Sequence, residues 1–232
     1  MSCQGQDSGS LVIGVDFDNT IATYDELLHR QALEQGLISK DVAKNKMEVR
    51  DTVRMLPEGE IQWQTLQGLV YGPKMKEARI CEGVGHFFHE CRQRQIKVFI
   101  VSHKTEFANY DDTRTNLRQS ALEWMTENRF FEIDGFGLSQ EDVFFEATRR
   151  EKVQRIAQLG CTHFIDDLTE VFDDDGFPNA VGKILYSPNS AGPALAGVMV
   201  ADSWEIISEY LFEADGFDSD LSVGLSTNES RH

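Results

Sequence analysis

Basic residues are scarce in this chain. Lys and Arg total 22 against 39 Asp and Glu, a formal charge of −17 over 232 residues. Such an excess repels nucleic-acid backbones and anionic membranes across most of the surface, which argues against a broad DNA- or RNA-binding face. Cysteine is nearly missing as well. Cys3, Cys81, Cys91 and Cys161 have neither CxxC spacing nor the density of a disulfide scaffold, and nothing near the start resembles a signal peptide, so a reducing, cytoplasmic setting is expected. Long apolar runs are absent too. No stretch approaches the roughly 20 residues that cross a bilayer, and a soluble protein is expected. A small anionic substrate stays compatible with this charge, because a metal ion and a few placed cations can reverse the potential inside one cleft.

What is present suffices for a core, since 41% of the residues are hydrophobic. Residues 1–9 are small and polar, and residues 213–232 are acidic and rich in Ser and Gly, so both ends are expected to be flexible. Between them, short apolar runs alternate with helical patterns: LVIGVDF, IKVFIVSH, DVFFEA, THFIDD and KILYSP. Runs this short read as strands buried on both faces of a mostly parallel sheet, an α/β arrangement. The stretches RTNLRQSALEWMTEN, EKVQRIAQLG and DSWEIISEYLF read as helices, the second closed by Gly160 and the third opened by Asp202 or Ser203. About 70 residues separate the first strand from the second, far beyond a usual connection. They carry three helical patterns, YDELLHRQALEQG, SKDVAKNKMEVRDTVRML and EIQWQTLQGLVYG, and form a helical insertion over residues 23–82 that is a candidate lid.

The chemistry starts with Asp16-Phe17-Asp18-Asn19-Thr20, directly after the apolar strand LVIGV. In an open parallel sheet, ligands bind at the carboxyl ends of the strands, and two carboxylates one residue apart point to the same side of an extended segment. Neither has a charged neighbour in the local sequence, and two such carboxylates invite a cation. Ser102 ends the run IKVFIVSHKT, where a hydroxyl can hold a phosphate oxygen, and His103 follows it as a second candidate donor. Lys152 opens a helix after DVFFEATRRE and offers a point charge for a phosphoryl group. THFIDDL ends a strand in Asp166 and Asp167, hard oxygen ligands of the sort magnesium prefers.

In that order these residues resemble the four motifs of the haloacid dehalogenase (HAD) superfamily, over roughly residues 11–21 and 84–211. The resemblance implies a Rossmann-like three-layer sandwich, with a core over residues 10–22 and 83–212 and a small helical cap over residues 23–82. It implies Asp16 as nucleophile forming an aspartyl-phosphate and Asp18 as acid/base residue. Magnesium would be held by Asp16, the Asp18 carbonyl, Asp166 and Asp167. Ser102 would bind phosphoryl oxygens, Thr20 would support the loop, and Lys152 would neutralise nucleophile and phosphate. Lys104, two residues after Ser102, is a rival for the lysine role, and Glu170 stands where many relatives carry an aspartate. The expected function is a magnesium-dependent phosphatase for a small phosphorylated metabolite, a sugar phosphate or nucleotide. A phosphomutase and a phosphate-binding regulatory protein are the alternatives. Oligomeric state is not legible.

Other features read as structure. Asp173-Asp174-Asp175-Gly176 lacks the spaced ligands of a calcium loop and suits an acidic turn, and His86 and His89 lack zinc spacing and suit helix packing. In the insertion, Arg50, Arg54, Lys74, Lys76 and Arg79 are cations for an anionic substrate, and Trp63 or Tyr71 could stack on a ring, though amphipathic spacing favours packing.

Overall fold

The computed structural model describes residues 10–110, 113–188 and 196–212. The two ends expected to be flexible, residues 1–9 and 213–232, lie outside these residues.

A six-stranded parallel sheet forms the centre. Its strands are β1 (Val12–Val15), β4 (Lys97–His103), β5 (Val143–Glu146), β6 (His163–Asp166), β7 (Gly182–Tyr186) and β8 (Val198–Ala201). They lie in the order β5-β4-β1-β6-β7-β8, so the chain leaves β1 in one direction and returns to its other side at β6. That reversal opens a crevice at the carboxyl end of β1, the place where open α/β sheets bind ligands. Gly14 permits the close approach of β1 and β6, since a Cβ there would lie 2.5 Å from the Phe164 ring. The five expected strands are present. The sixth, β8, was not expected, because four residues after a Gly/Pro/Ala stretch carry too little periodicity to read.

Helices cover both faces, giving the three-layer sandwich. On one face α4 (Val84–Gln93), α5 (Leu117–Glu127) and α8 (Trp204–Phe212) bury Phe87, Phe88, Trp124, Met125, Trp204 and Ile207. On the other, α6 (Arg149–Gln158) and α7 (Thr169–Phe172) bury Val153, Ile156, Val171 and Phe172 with Phe164. Gly160 follows α6 with φ +64°, the left-handed turn its glycine was expected to supply. The Ser203 hydroxyl accepts from the Ile206 N–H at 3.4 Å at the start of α8. His86 and His89 are both exposed, so their part in packing the helix is nil; Phe87, Phe88 and Cys91 of α4 do that work.

Two-residue strands β2 (Ala22–Thr23) and β3 (Arg79–Ile80) pair antiparallel and tie the two ends of the intervening segment together. Between them run α1 (Asp25–Glu34), α2 (Lys46–Arg54) and α3 (Gly59–Tyr71). The second helix starts at Lys46, not near Ser39. Asn45 stops it there, its side chain accepting from the Glu48 N–H at 2.8 Å as an N-cap. Trp63, Leu66 and Val70 of α3 are buried with Leu27, Leu28, Val49 and Val53, and this apolar cluster is continuous with Val15 and Phe17 of the sheet.

Candidate active site

The loop after β1 separates the two carboxylates it carries. The Asp16 N–H donates to the Ile165 carbonyl at 2.9 Å, continuing the β1/β6 pairing by one residue. The chain then folds back: the Ile21 and Ala22 N–H groups both donate to the Phe17 carbonyl, and Asn19 takes a left-handed φ of 61°. The Phe17 ring is driven into the core, edge-on to Trp124 at 5.6 Å between centroids. The Trp204 indole N–H donates to the Thr20 carbonyl at 3.2 Å and anchors the turn from below. Asp16 therefore ends buried and Asp18 half-buried, in different surroundings.

Asp16 shares its surroundings with the end of β6. The Lys152 Nζ lies 2.6 Å from Asp16 Oδ1 and 2.6 Å from Asp166 Oδ2, all three groups being buried. A reciprocal cap fixes the helix that delivers the lysine: the Thr148 hydroxyl accepts from the Glu151 N–H while Glu151 accepts from the Thr148 N–H. Burial disfavours the charged form of Lys152, but the charges of Asp16 and Asp166 outweigh it and raise the ammonium above its ordinary value. One cation does not satisfy this cluster. Burial and the neighbouring Asp16, only partly offset by Lys152, push the Asp166 carboxyl up to about 7. Burial likewise raises Asp167 well above the carboxylate range, against Lys46 and with Asp16 and Asp166 adding to it.

Asp18 is held from the opposite side. Lys104 Nζ lies 2.9 Å from Asp18 Oδ2 and 3.0 Å from Oδ1, and the Tyr24 hydroxyl donates to Oδ1 at 2.6 Å. Tyr24 and Lys104 are both buried. Burial first and then the Asp18 charge raise the Tyr24 hydroxyl above its ordinary value, so it serves as a donor.

The donor set suits a hard divalent cation. Oxygens of Asp16, Asp166 and Asp167 lie within 4.8 Å of one another, and burial together with their mutual repulsion raises the Asp166 and Asp167 carboxyls, an arrangement a cation would relieve. The Asp18 carboxylate is not in this group, being taken up by Lys104 and Tyr24; the ligand expected from this residue is its backbone carbonyl. Among the described residues, three side-chain oxygens beside the carboxylates lack a hydrogen-bond partner: Ser102 Oγ, Thr20 Oγ1 and Asn19 Oδ1. Buried polar atoms are rarely left so; the two hydroxyls can donate to a bound anion, while the Asn19 oxygen, which only accepts, needs a donor such as water. His103 is exposed, its Nε2 lying 3.1 Å from the Ala147 carbonyl, and it lines a cleft together with Asp18 and Lys104. Glu170 is also exposed. Asp174 Oδ1 accepts from the Gly176 N–H at 2.9 Å and closes the acidic turn.

Two clefts flank the site. One of about 300 Å³ is walled by Asp18 and Lys104 against Gln64, Gln67 and Tyr71 of α3. The other, of about 420 Å³, is walled by Asp167 and Asn19 against Asn45 and Lys46 at the start of α2. Lys46 and Tyr24 went unmarked in the sequence. Burial would lower the Lys46 ammonium, yet Tyr71, Asp167 and Asp18 together raise it, which places its charge over the carboxylates from the inserted segment. The motif NKMEVR gives no hint of this, since a lysine after a cap residue normally faces solvent. Tyr24 had a faint signal, a tyrosine closing the loop that begins at Asp16.

No protein-family model matches the chain, and no curated protein does. Solved structures do, at low identity. A HAD family hydrolase from Deinococcus radiodurans R1, with bound phosphate and sodium, is 13% identical over 90% of this chain and 98% of its own, with a TM-score of 0.51. A HAD hydrolase of family IA, variant 3, from Entamoeba histolytica is 12% identical over 84% of this chain and 94% of its own, with a TM-score of 0.51. Protein Tyrosine Kinase A from Mycobacterium tuberculosis is 13% identical over 88% of this chain and 99% of its own, with a TM-score of 0.55. The chain thus has the Rossmann-like fold of HAD-superfamily hydrolases. A kinase by name within the same likeness means that the reaction must be argued from the site.

Proposed function

We propose that this protein is a magnesium-dependent phosphatase that hydrolyses a small phosphomonoester through an aspartyl-phosphate on Asp16. The observation that carries the reading is the division of labour between two nearby carboxylates. Asp16 sits with Lys152, Asp166 and Asp167, whereas Asp18 sits with Lys104 and Tyr24. Two acids in separate environments are what a nucleophile and a proton-transfer group require.

In this reading the Asp16 carboxylate attacks phosphorus, forming one P–O bond as the bond to the leaving alcohol breaks, and Asp18 gives that oxygen its proton. Water then attacks the aspartyl-phosphate, Asp18 takes the proton, and phosphate leaves as Asp16 is restored. Lys152 balances the charge of Asp16 while the anion approaches, and the Ser102 hydroxyl donates to a phosphoryl oxygen. Magnesium, held by Asp16, Asp166 and Asp167, would supply charge neutralisation between nucleophile and phosphate. The buried free cysteines Cys81, Cys91 and Cys161 suit the cytoplasmic setting this substrate class implies.

The test is phosphate release from sugar phosphates, nucleotides and an aryl phosphate, with magnesium and with chelator. Release should require the metal and vanish in Asp16→Asn. Metal-independent release, or an active Asp16→Asn, rejects the mechanism.

A further inference from the structure

The two clefts beside the catalytic carboxylates are not equivalent. In the reaction proposed above, on which this inference rests, the leaving oxygen receives its proton from Asp18, so the leaving group must lie on the side of Asp16 where Asp18 stands. Asp18 walls the smaller cleft and not the larger one. At about 300 Å³ this cleft is at the lower end of small-ligand sites, which run from roughly 300 to 1,000 Å³.

Its charges are already committed. Lys104 is paired with Asp18, and Glu60 is paired with Arg54 at 2.6 Å. Three other cations of the insertion are held by neighbours, Arg50 by Asp51, Lys74 by Glu77 and Arg79 by Glu26, and neither Lys46 nor Lys76 is in the lining of this cleft. Aromatic surface is committed as well. Trp63 is buried in the core, and the Tyr71 ring packs on Tyr24 at 4.6 Å between centroids with Lys104 Nζ 5.1 Å from its own centroid. His103, exposed at the rim of the cleft, is the exception, so discrimination against a nucleobase rests on the small volume and the amide lining rather than on the lack of a ring.

Neutral hydrogen-bonding groups remain. Gln64 and Gln67 are one turn apart on the face of α3 that meets the cleft, and Asn109 stands across from them in the loop after β4. Asn109 Nδ2 donates to Gln64 Oε1 at 3.1 Å, and Gln64 Nε2 donates to Glu60 at 3.0 Å. This chain spans the cleft, and the Asn109 carbonyl and the Gln67 amide lie beside it as further acceptors and donors. Amides offer donor and acceptor side by side and so match adjacent hydroxyls. We infer that this cleft is the leaving-group subsite and that it selects an uncharged, hydroxyl-rich group, a sugar or polyol, over a nucleoside or a second phosphate.

The experiment compares ribitol 5-phosphate with AMP. Wild-type kcat/KM should favour the polyol ester at least ten-fold, and Gln67→Leu and the surface change Asn109→Ala should each reduce that preference by three-fold or more. AMP hydrolysed equally well or better overturns the inference, as does a preference that neither substitution alters. Asp16→Asn, with magnesium, gives a readout free of turnover by calorimetric titration with ribitol 5-phosphate, AMP and inorganic phosphate. If the wild type releases no phosphate but ribitol 5-phosphate binds ten-fold tighter than the other two, and Gln67→Leu loosens it, the subsite stands and the hydrolase reading falls. Binding no tighter than inorganic phosphate rejects the subsite whatever the kinetics.

Discussion

Lys104 spans both carboxylate oxygens of Asp18, at 2.9 and 3.0 Å, from a position 86 residues further along the chain. The contact fixes where the second acid of the loop points. It also gives Lys104 a role distinct from that of Lys152, which faces Asp16 and Asp166.

From that contact, Lys104→Met should misplace Asp18 while leaving magnesium dependence intact. Turnover should fall at least ten-fold, and Asp18→Asn should lower it by about 10²–10⁴-fold, the usual contribution of a proton-transfer group. Stopped reactions should also retain more phosphoenzyme in Asp18→Asn. Wild-type turnover in Asp18→Asn removes it from the mechanism.

Lys152 is buried between two carboxylates, and its removal would leave them facing each other without a cation. Lys152→Met should destabilise the metal-free protein by about 3–5 kcal/mol in urea unfolding, the cost of breaking a buried pair from one side. A loss below about 1 kcal/mol, the scale of an exposed pair, would mean the ammonium is not confined as described.

The metal should stabilise the fold in a pH-dependent way. The folded-state carboxyl of Asp166 is raised by burial to about 7, so its contribution to stability is full below the ordinary carboxylate range and is lost as pH rises through about 7. Magnesium needs the ionised form and should offset that loss. At a hundred times its Kd it adds about 2.7 kcal/mol, or roughly 5–10 °C in Tm for a chain of this size. The rise should be larger at pH 8 than at pH 5.5; thermal melts with an equal or reversed increment would contradict a carboxylate metal site.

Ser102 Oγ makes no hydrogen bond among the described residues although it is buried. Ser102→Ala therefore removes no internal partner and should leave the urea midpoint unchanged or slightly raised. Its kcat/KM should nonetheless fall by about ten- to a hundred-fold, one charge-assisted hydrogen bond being worth roughly 1.5–3 kcal/mol. A stability loss with unchanged kcat/KM would assign the hydroxyl to the fold instead.

Local chemistry by itself determined the sheet strands and the order of the acidic, hydroxyl and lysine motifs along them. Runs such as LVIGV and THFID are apolar on both faces, and only a strand inside a covered parallel sheet can bury both. The residues that follow such strands fall at one sheet edge by topology, which is why Asp16, Ser102 and Asp166 could be gathered from sequence. Their partners could not. Whether Lys104 or Lys152 meets Asp16 depends on how α6 packs against β4 and β5, a contact between distant segments. Lys46 and Tyr24 reach the site only because the inserted helices share one apolar cluster with the sheet, which brings the start of α2 over the carboxylates. The place of His103 was likewise decided in three dimensions, since the last residue of β4 is exposed at the rim of the cleft beside Asp18 whereas Ser102 is buried. Periodicity records which face of an element is buried, but the identity of what covers that face is set by packing, and the charges around Asp16 and Asp18 follow from that packing.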